Sequence, residues 1–482
     1  MRFRRDVAIC GTEQLLHTGV IVMMNKTIAI CSVWALAGCT DIERADVLDE
    51  GRDPTNVGEG VGDAEQAISG TQGDVVATSS GQFTLSWVDL DTPAIRAAVD
   101  DANGRGALLG NRTMTQVLAG ANRTLAYKTS SACASAKASI ANLDDAAHHV
   151  GAWCFDSGDQ DAGRSLDSSD WVPQAVASSN EAAVGGYSGP SAVAVTWYQP
   201  RPDHTAGAMD DPQNDRVTFV NTPTSGNSST YRHVLLVEPV VENGKLNLRR
   251  VKMHAGGVAW FGNILYVAST GGGMRAFDIR RIFAVHTTKD TVGLDTSTPS
   301  DPNLYGESFA YVILQVANYK KTDAACTRSP TTLNAGLCFS GVTVNRSASP
   351  VSLISYEYRT QAEMTAAKVG ARIVHWPLDA GTGLLTRATD GNVHSGKLFV
   401  TPTYQVQGVS IDHATFFMST SQSGGTFYRE VDGDGVAPVK STWVQGAETV
   451  SFTTTSFGDR LWSATEVPGR RMLFWVYTSE MQ

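Results

Sequence analysis

The chain has 482 residues, with 42% apolar and 18% charged residues and a net charge of −10. That charged fraction is below the roughly 25% of ordinary soluble domains, and 46 glycines accompany it. The composition excludes collagen, a coiled coil and full disorder, and the acidic balance excludes a nucleic-acid partner held by a general basic surface.

Met24-Asn25-Lys26 opens a short basic region, and an apolar run follows from Thr27 to Ala35. This run is too short to cross a bilayer and reads as a signal peptide. It ends in Leu36-Ala37-Gly38-Cys39, which resembles the lipobox of bacterial lipoproteins. The resemblance implies cleavage before Cys39, lipidation of Cys39, and attachment to the cell envelope of a Gram-negative bacterium. Thr40 in place of Asp after that Cys implies the outer membrane. Residues 1–38 form the leader in this reading, and Met23 or Met24 is the expected start.

Residues 39–74 are expected to be a disordered acidic tether. Positions 40–74 hold ten acidic residues against Arg44 and Arg52 and have no aromatic residue, so they cannot bury enough surface to fold alone. Residues 1–38 carry +2 and residues 40–74 carry −8, which leaves −4 for residues 75–482.

Residues 75–150 are expected to form a small α-containing region. Thr92-Pro93 is a helix start, with Thr as cap and Pro at the first helical position. Ala132 to Leu143 and Asp144 to Val150 are Ala-rich and read as helical. Four cysteines remain beyond the leader and Cys39. In an oxidising compartment they predict disulfides, Cys133–Cys154 and Cys326–Cys338 being the local pairing.

Residues 151–482 carry a repeat. Short runs ending in Val176, Val258, Val409 and Val450 are each followed by a turn and an apolar strand. Val409 and Val450 are 41 positions apart, and Val176 and Val258 are 82 apart. A period near 40 with several strands per unit predicts a mainly β fold, a β-propeller of five to seven blades. Five units read clearly, at 170–240, 255–287, 307–380, 404–444 and 446–478; a β-sandwich is the rival. The third unit is expected to begin at Phe309 to Val316. The last unit has three strong strands, and Gln82 to Val88 is the expected fourth.

The segment from 150 to 478 resembles a family of uncharacterised bacterial exported propeller-like proteins. The residues carrying the resemblance are Trp171 to Gln174, Tyr231 to Pro239, His254 to Gly257 with Ala276-Phe277-Asp278, His375 to Asp379, and Leu461 to Arg470. It implies a fold and an exported location but brings no activity.

The residue two before each anchor valine is Gln174, Gly256, Gln407 or Glu448, and His254 lies on the same strand face as Gly256. Gln174, His254, Gln407 and Glu448 are therefore expected to converge at one mouth of an axial channel. There they would bind a polar ligand or line the axis as buried structural polar groups. Two acidic clusters are candidates for calcium, the first of which reads foremost as an Asp-Gly hairpin turn. Asp432 and Asp434 sit at alternate positions in a loop without the closing glutamate of an EF-hand, and Asp159 and Asp161 lie in an aspartate-rich stretch. No nucleophile elbow, phosphate loop or His-Glu-x-x-His is present. The functional expectation is a lipid-anchored binding module for a protein or carbohydrate ligand, with insertions at 200–230 and 319–338 as loops. The alternative is an exported lactonase-like hydrolase with an axial metal.

Overall fold

The computed structural model describes residues 83–481, apart from 142, 144–148, 165, 167–169, 201–212, 298–301, 331, 368 and 433–438, together with the backbone of residues 76 and 77. Cys39, the leader and nearly all of the tether lie outside the described residues.

The described chain is mainly β. It opens with β1 (Val76–Ala77), β2 (Thr84–Asp89), helix α1 (Pro93–Gly104), β3 (Asn111–Arg112), helix α2 (Met114–Ala119), β4 (Arg123–Tyr127), β5 (Gly151–Cys154) and the short helix α3 (Ser157–Gln160). Helix α1 starts as its sequence predicts: the Thr92 hydroxyl accepts from the Ile95 N–H and Pro93 occupies the first turn. The Ala-rich stretch after Ser130 forms two 3-10 turns, Ser131–Cys133 and Ala136–Ile140, rather than one helix. Residues 144–148 of the second expected helix lie outside the described residues.

Five antiparallel meanders follow. The first is β6 (Val172–Ser178), helix α4 (Ser179–Val184), β7 (Ala192–Tyr198), β8 (Asp215–Asn221), β9 (Ser229–Glu242) and β10 (Lys245–Arg250). The second is β11 (Val258–Phe261), β12 (Ile264–Ser269), β13 (Gly273–Ala284), the small pair β14 (Val292–Leu294) and β15 (Leu304–Gly306), and β16 (Tyr311–Lys321). The third is β17 (Gly341–Asn345), β18 (Ser352–Tyr356), helix α5 (Gln361–Ala367), β19 (Ala371–Pro377), the two-residue β20 (Val393–His394) and β21 (Leu398–Thr401). The fourth is β22 (Val406–Asp412), β23 (Thr415–Thr420), β24 (Thr426–Val431) and β25 (Val439–Thr442). The fifth is β26 (Ser451–Thr453), β27 (Arg460–Ala464) and β28 (Met472–Tyr477).

Strand alternation explains how the meanders pack. Successive side chains point to opposite faces, so a sheet buried on both faces feeds two cores. In β6, Ala175 and Ala177 enter a core shared with Val258, Trp260 and Leu265 of the second sheet. Val176 enters one shared with Trp462 and Leu473 of the fifth. In the second sheet, Ile264 and Tyr266 face Val342, Leu353 and Trp376 of the third. Ile354 and Ile373 of the third face Val409, Ile411 and Met418 of the fourth. Phe417 and Phe427 of the fourth face Leu461 and Phe474 of the fifth. Five cores thus join the five meanders in cyclic order, and the first, second and fifth are also continuous through the backbone pairings β9–β16, β4–β9 and β4–β5.

Two strand assignments differ from the sequence expectation. The fifth sheet is completed by β5, which pairs with β28 from Gly151↔Trp475 to Met472↔Cys154. The expected closing strand, Gln82 to Val88, instead contributes β2, which pairs with β16 from Ala317↔Asp89 to Lys321↔Leu85. The expected start of the third unit, Phe309 to Val316, falls largely in β16, which pairs with β13 and extends the second sheet. Both disulfides form as expected, Cys133–Cys154 and Cys326–Cys338.

Candidate functional site

The first strands of the five meanders, β6, β11, β17, β22 and β26, pack beside one another. Glycines allow the approach. A Cβ on Gly257 would lie 2.2 Å from Val342 N, and one on Gly408 would lie 2.6 Å from Val450 N. No side chain fits at those distances.

The expected residues sit where these strands begin. Gln174 is the extra residue of a bulge in β6: Pro173 faces Trp197 and Ala175 faces Thr196, so Gln174 has no partner across the ladder. Gln407 is the extra residue of the matching bulge in β22, between Val406↔Thr420 and Gly408↔Ser419. Glu448 lies in a third irregularity, between the bridge Ala447↔Thr465 and Ser451↔Trp462. Bulges re-aim side chains and recur beside functional sites. Gln174 and Glu448 are buried, and the Gln174 amide donates to its neighbour Pro173 O at 3.2 Å.

Three of these segments share one neighbourhood. The Val176 N–H, two residues past Gln174, donates to Thr449 Oγ1 at 2.7 Å. The Tyr356 hydroxyl donates to the Gln407 carbonyl at 3.2 Å. Burial raises the Tyr356 phenol above its ordinary value, and the nearby negative charge of Glu448 raises it further. His254 lies against the first meander, its ring tilted at 39° to that of Tyr198 with centroids 4.6 Å apart. Its neighbour Gly256 is so close to the third sheet that a Cβ there would lie 2.4 Å from Ser340 O. Ser340 occupies the place of Gln174 and Gln407 in the third sheet, two residues before Val342. That position was missed because Val342 lies 84 residues after Val258 and 67 before Val409, off the regular spacing. Ala255 and Gln405, both next to this region, have φ of 53° without being glycine. Such conformations cluster at ligand sites.

The aspartate-rich stretch has another role. Asp159 is buried on α3, and its carboxylate takes Arg216 at 2.6 Å, His233 Nε2 at 3.0 Å, Arg123 at 3.3 Å and the Tyr231 hydroxyl. Arg216 lies between Trp171 and Trp197, 4.4 and 4.5 Å from their ring centroids. Arg471 of the fifth sheet donates to Asp159 O at 2.8 Å and to Asp161 Oδ2 at 3.2 Å. Burial opposes the charge on Asp159, but Arg216, His233 and Arg123 together more than offset it, and the carboxylate pKa lies well below the usual range. Burial and Arg216 lower His233 to about 4, so it is neutral near pH 7. The two aspartates expected to hold calcium, Asp159 and Asp161, lie in this network, where guanidiniums, His233 and the Tyr231 hydroxyl meet their oxygens. Asp432 sits in a turn, its N–H donating to Ala414 O at 2.8 Å, and Asp434 lies outside the described residues. Among the described residues no three His, Cys, Asp or Glu side chains group as metal ligands.

Two more buried acids escaped the sequence reading. Glu357 accepts from Arg372 at 2.6 and 2.8 Å, from Arg359 at 2.5 Å and from the Cys338 N–H at 3.0 Å. Arg372 also donates to the carbonyls of Leu333 and Ala335, so this cluster fixes the disulfide loop. Glu181 on α4 accepts from the Phe452 N–H at 3.0 Å, and burial pushes its pKa up to about 8.

No protein-family model matches the sequence, and no curated protein matches it. A solved GH43_1 enzyme from Xanthomonas citri is similar over 64% of this chain and 88% of its own, at 8% identity and a TM-score of 0.28. At those values the likeness carries no argument about this chain's chemistry.

Proposed function

We propose that this chain is an exported five-bladed β-propeller that acts as a binding module, anchored to the outer membrane by a lipid on Cys39. Its polar ligand sits where the innermost strands begin, among Gln174, His254, Gln407 and Glu448. The observation that carries the reading is the shared irregularity of Gln174 and Gln407. Two strands from different sheets each insert one extra residue at the same level, and both extra residues are glutamines. The cyclic order of the cores supports the propeller, and two disulfides suit an oxidising compartment. The lipid anchor rests on the Leu36-Ala37-Gly38-Cys39 motif.

The test is a thermal-shift screen of the full chain against amino acids, nucleosides and organic acids. A hit is expected to lose its shift in Gln407→Ala and in Glu448→Gln. A hit that keeps its shift in both variants places the ligand elsewhere. Metabolic labelling with a radiolabelled fatty acid tests the anchor: label is expected on the natural chain and absent from Cys39→Ala.

A further inference from the structure

A cavity of about 590 Å³ opens away from the axial residues, on the second sheet, between the end of β2 and the turn that follows β19. Small-molecule sites typically span about 300–1,000 Å³. Hydrogen bonds to the sheet hold the walls in place. The Tyr266 hydroxyl donates to Gly383 O at 2.7 Å, and the Leu385 N–H donates to the Tyr319 hydroxyl at 3.2 Å. Asp379 Oδ1 closes the turn by accepting from the Thr382 N–H at 2.8 Å and the Gly381 N–H at 3.0 Å. A site held rigid before binding loses little freedom when it is filled.

The lining combines three chemistries. Ile264, Val316 and Leu384 provide apolar surface. The Arg387 guanidinium carbon lies over the Trp87 ring, 3.6 Å from its centroid, a cation–π pair. Acids and bases nearly cancel. Asp278 pairs with Arg280 at 2.7 Å and Asp91 with Arg96 at 3.3 Å. Asp89, Asp379 and Arg387 remain outside those pairs. Asp89 and Asp379 each spend only Oδ1 on backbone N–H groups, so Oδ2 is available as an acceptor.

We infer that this cavity binds a neutral oligosaccharide, at a site separate from the axial one. A sugar chain has apolar ring faces for Ile264, Val316, Leu384 and the edge of the Trp87–Arg387 pair, and hydroxyls that both donate and accept. Carboxylates take its O–H groups and the guanidinium gives N–H groups to its oxygens. Near-balance of charge in the lining disfavours strongly anionic and strongly cationic ligands, which would bury an unmatched charge.

Calorimetric titration of the full chain with cellotriose, maltotriose and chitotriose tests the inference. One of the three is expected to bind with one-to-one stoichiometry. Trp87→Ala and Asp379→Asn are expected to weaken it at least tenfold, with an unchanged near-ultraviolet circular dichroism spectrum, and Glu448→Gln is expected to leave it unaltered. Arg387→Ala, at an exposed position, serves if either first variant fails to fold. The inference is overturned if none of the three sugars binds, if the cavity variants bind as the natural chain does, or if Glu448→Gln abolishes binding. Retention of a lysine-rich tripeptide in place of the sugars overturns it as well. Failure of the axial screen leaves these outcomes unaffected, because no axial residue lines the cavity.

Discussion

Val176 and Thr449, 273 positions apart, are joined by a 2.7 Å hydrogen bond from a buried N–H to a buried hydroxyl. Two residues on, the Ser178 N–H donates to Ser451 Oγ at 3.1 Å and the Ser178 hydroxyl meets Thr453 Oγ1 at 2.8 Å. The first and fifth sheets are therefore fastened at their first strands by side-chain hydroxyls rather than by a backbone ladder. Substituting Thr449→Val keeps the shape and removes the acceptor. An orphaned buried N–H costs about 1–3 kcal/mol. Urea denaturation is expected to show a loss in that range, and an unchanged midpoint counts against the fastening.

Glu181 sits beside the same junction, and its raised pKa has a definite sign. Its pKa moves from an ordinary 4.5 to about 8 on folding. The folded state holds the proton where the unfolded state has lost it, so stability is fullest below pH 4.5 and falls as pH rises toward 8. His233 and His375, both lowered to about 4, act in the opposite sense, gaining stability as pH rises from 4 to 6.5. Above pH 6.5 that contribution is complete. Between pH 6.5 and 8 the natural chain is expected to lose stability, with Asp215, raised by burial, acting in the same direction. Glu181→Gln is expected to flatten that slope. Equal slopes for the two proteins would show that Glu181 is ionised in the fold.

Glu357, Arg359 and Arg372 form a charge cluster at 1% exposure or less. Removing one member of a buried ion pair costs about 3–5 kcal/mol when the survivor is left without compensation. Arg372→Met is expected to cost no more than the low end of that range, because Arg359 and the Cys338 N–H still meet Glu357. It also frees the carbonyls of Leu333 and Ala335, so limited proteolysis is expected to cut between Cys326 and Cys338 sooner than in the natural chain. Unchanged cleavage there would mean that the disulfide alone orders the loop.

What the sequence disclosed follows from which interactions are local. The valine spacing and the strands after it depend on short-range alternation, so Gln174, Gln407 and Glu448 could be picked out by position. The helix start at Thr92-Pro93 is equally local. The closing strand was not legible. Both Gln82 to Val88 and Gly151 to Cys154 are adequate strands, and the choice between them depends on partners more than 200 positions away. The aspartates at 159 and 161 suggested a cation site because the sequence does not display their partners, Arg216 at 57 positions and Arg471 at 310. Ser340 was hidden by uneven insertions around Val342.

The Cys133–Cys154 bond ties the 3-10 turn at Ser131–Cys133 to β5, the strand that completes the fifth sheet. The two cysteines are 21 positions apart. Closing a loop of that size restricts the unfolded chain by about 3 kcal/mol. The double variant Cys133→Ala with Cys154→Ala is expected to lose stability of that order. The loss should have an address. Hydrogen exchange is expected to quicken at Met472 to Trp475, whose strand pairs with β5, while Val406 to Ile411 of the fourth sheet keep their protection. Pairing Cys326→Ala with Cys338→Ala is expected to leave β28 protected. Four reactive thiols in the unreduced natural protein would remove the basis of both expectations.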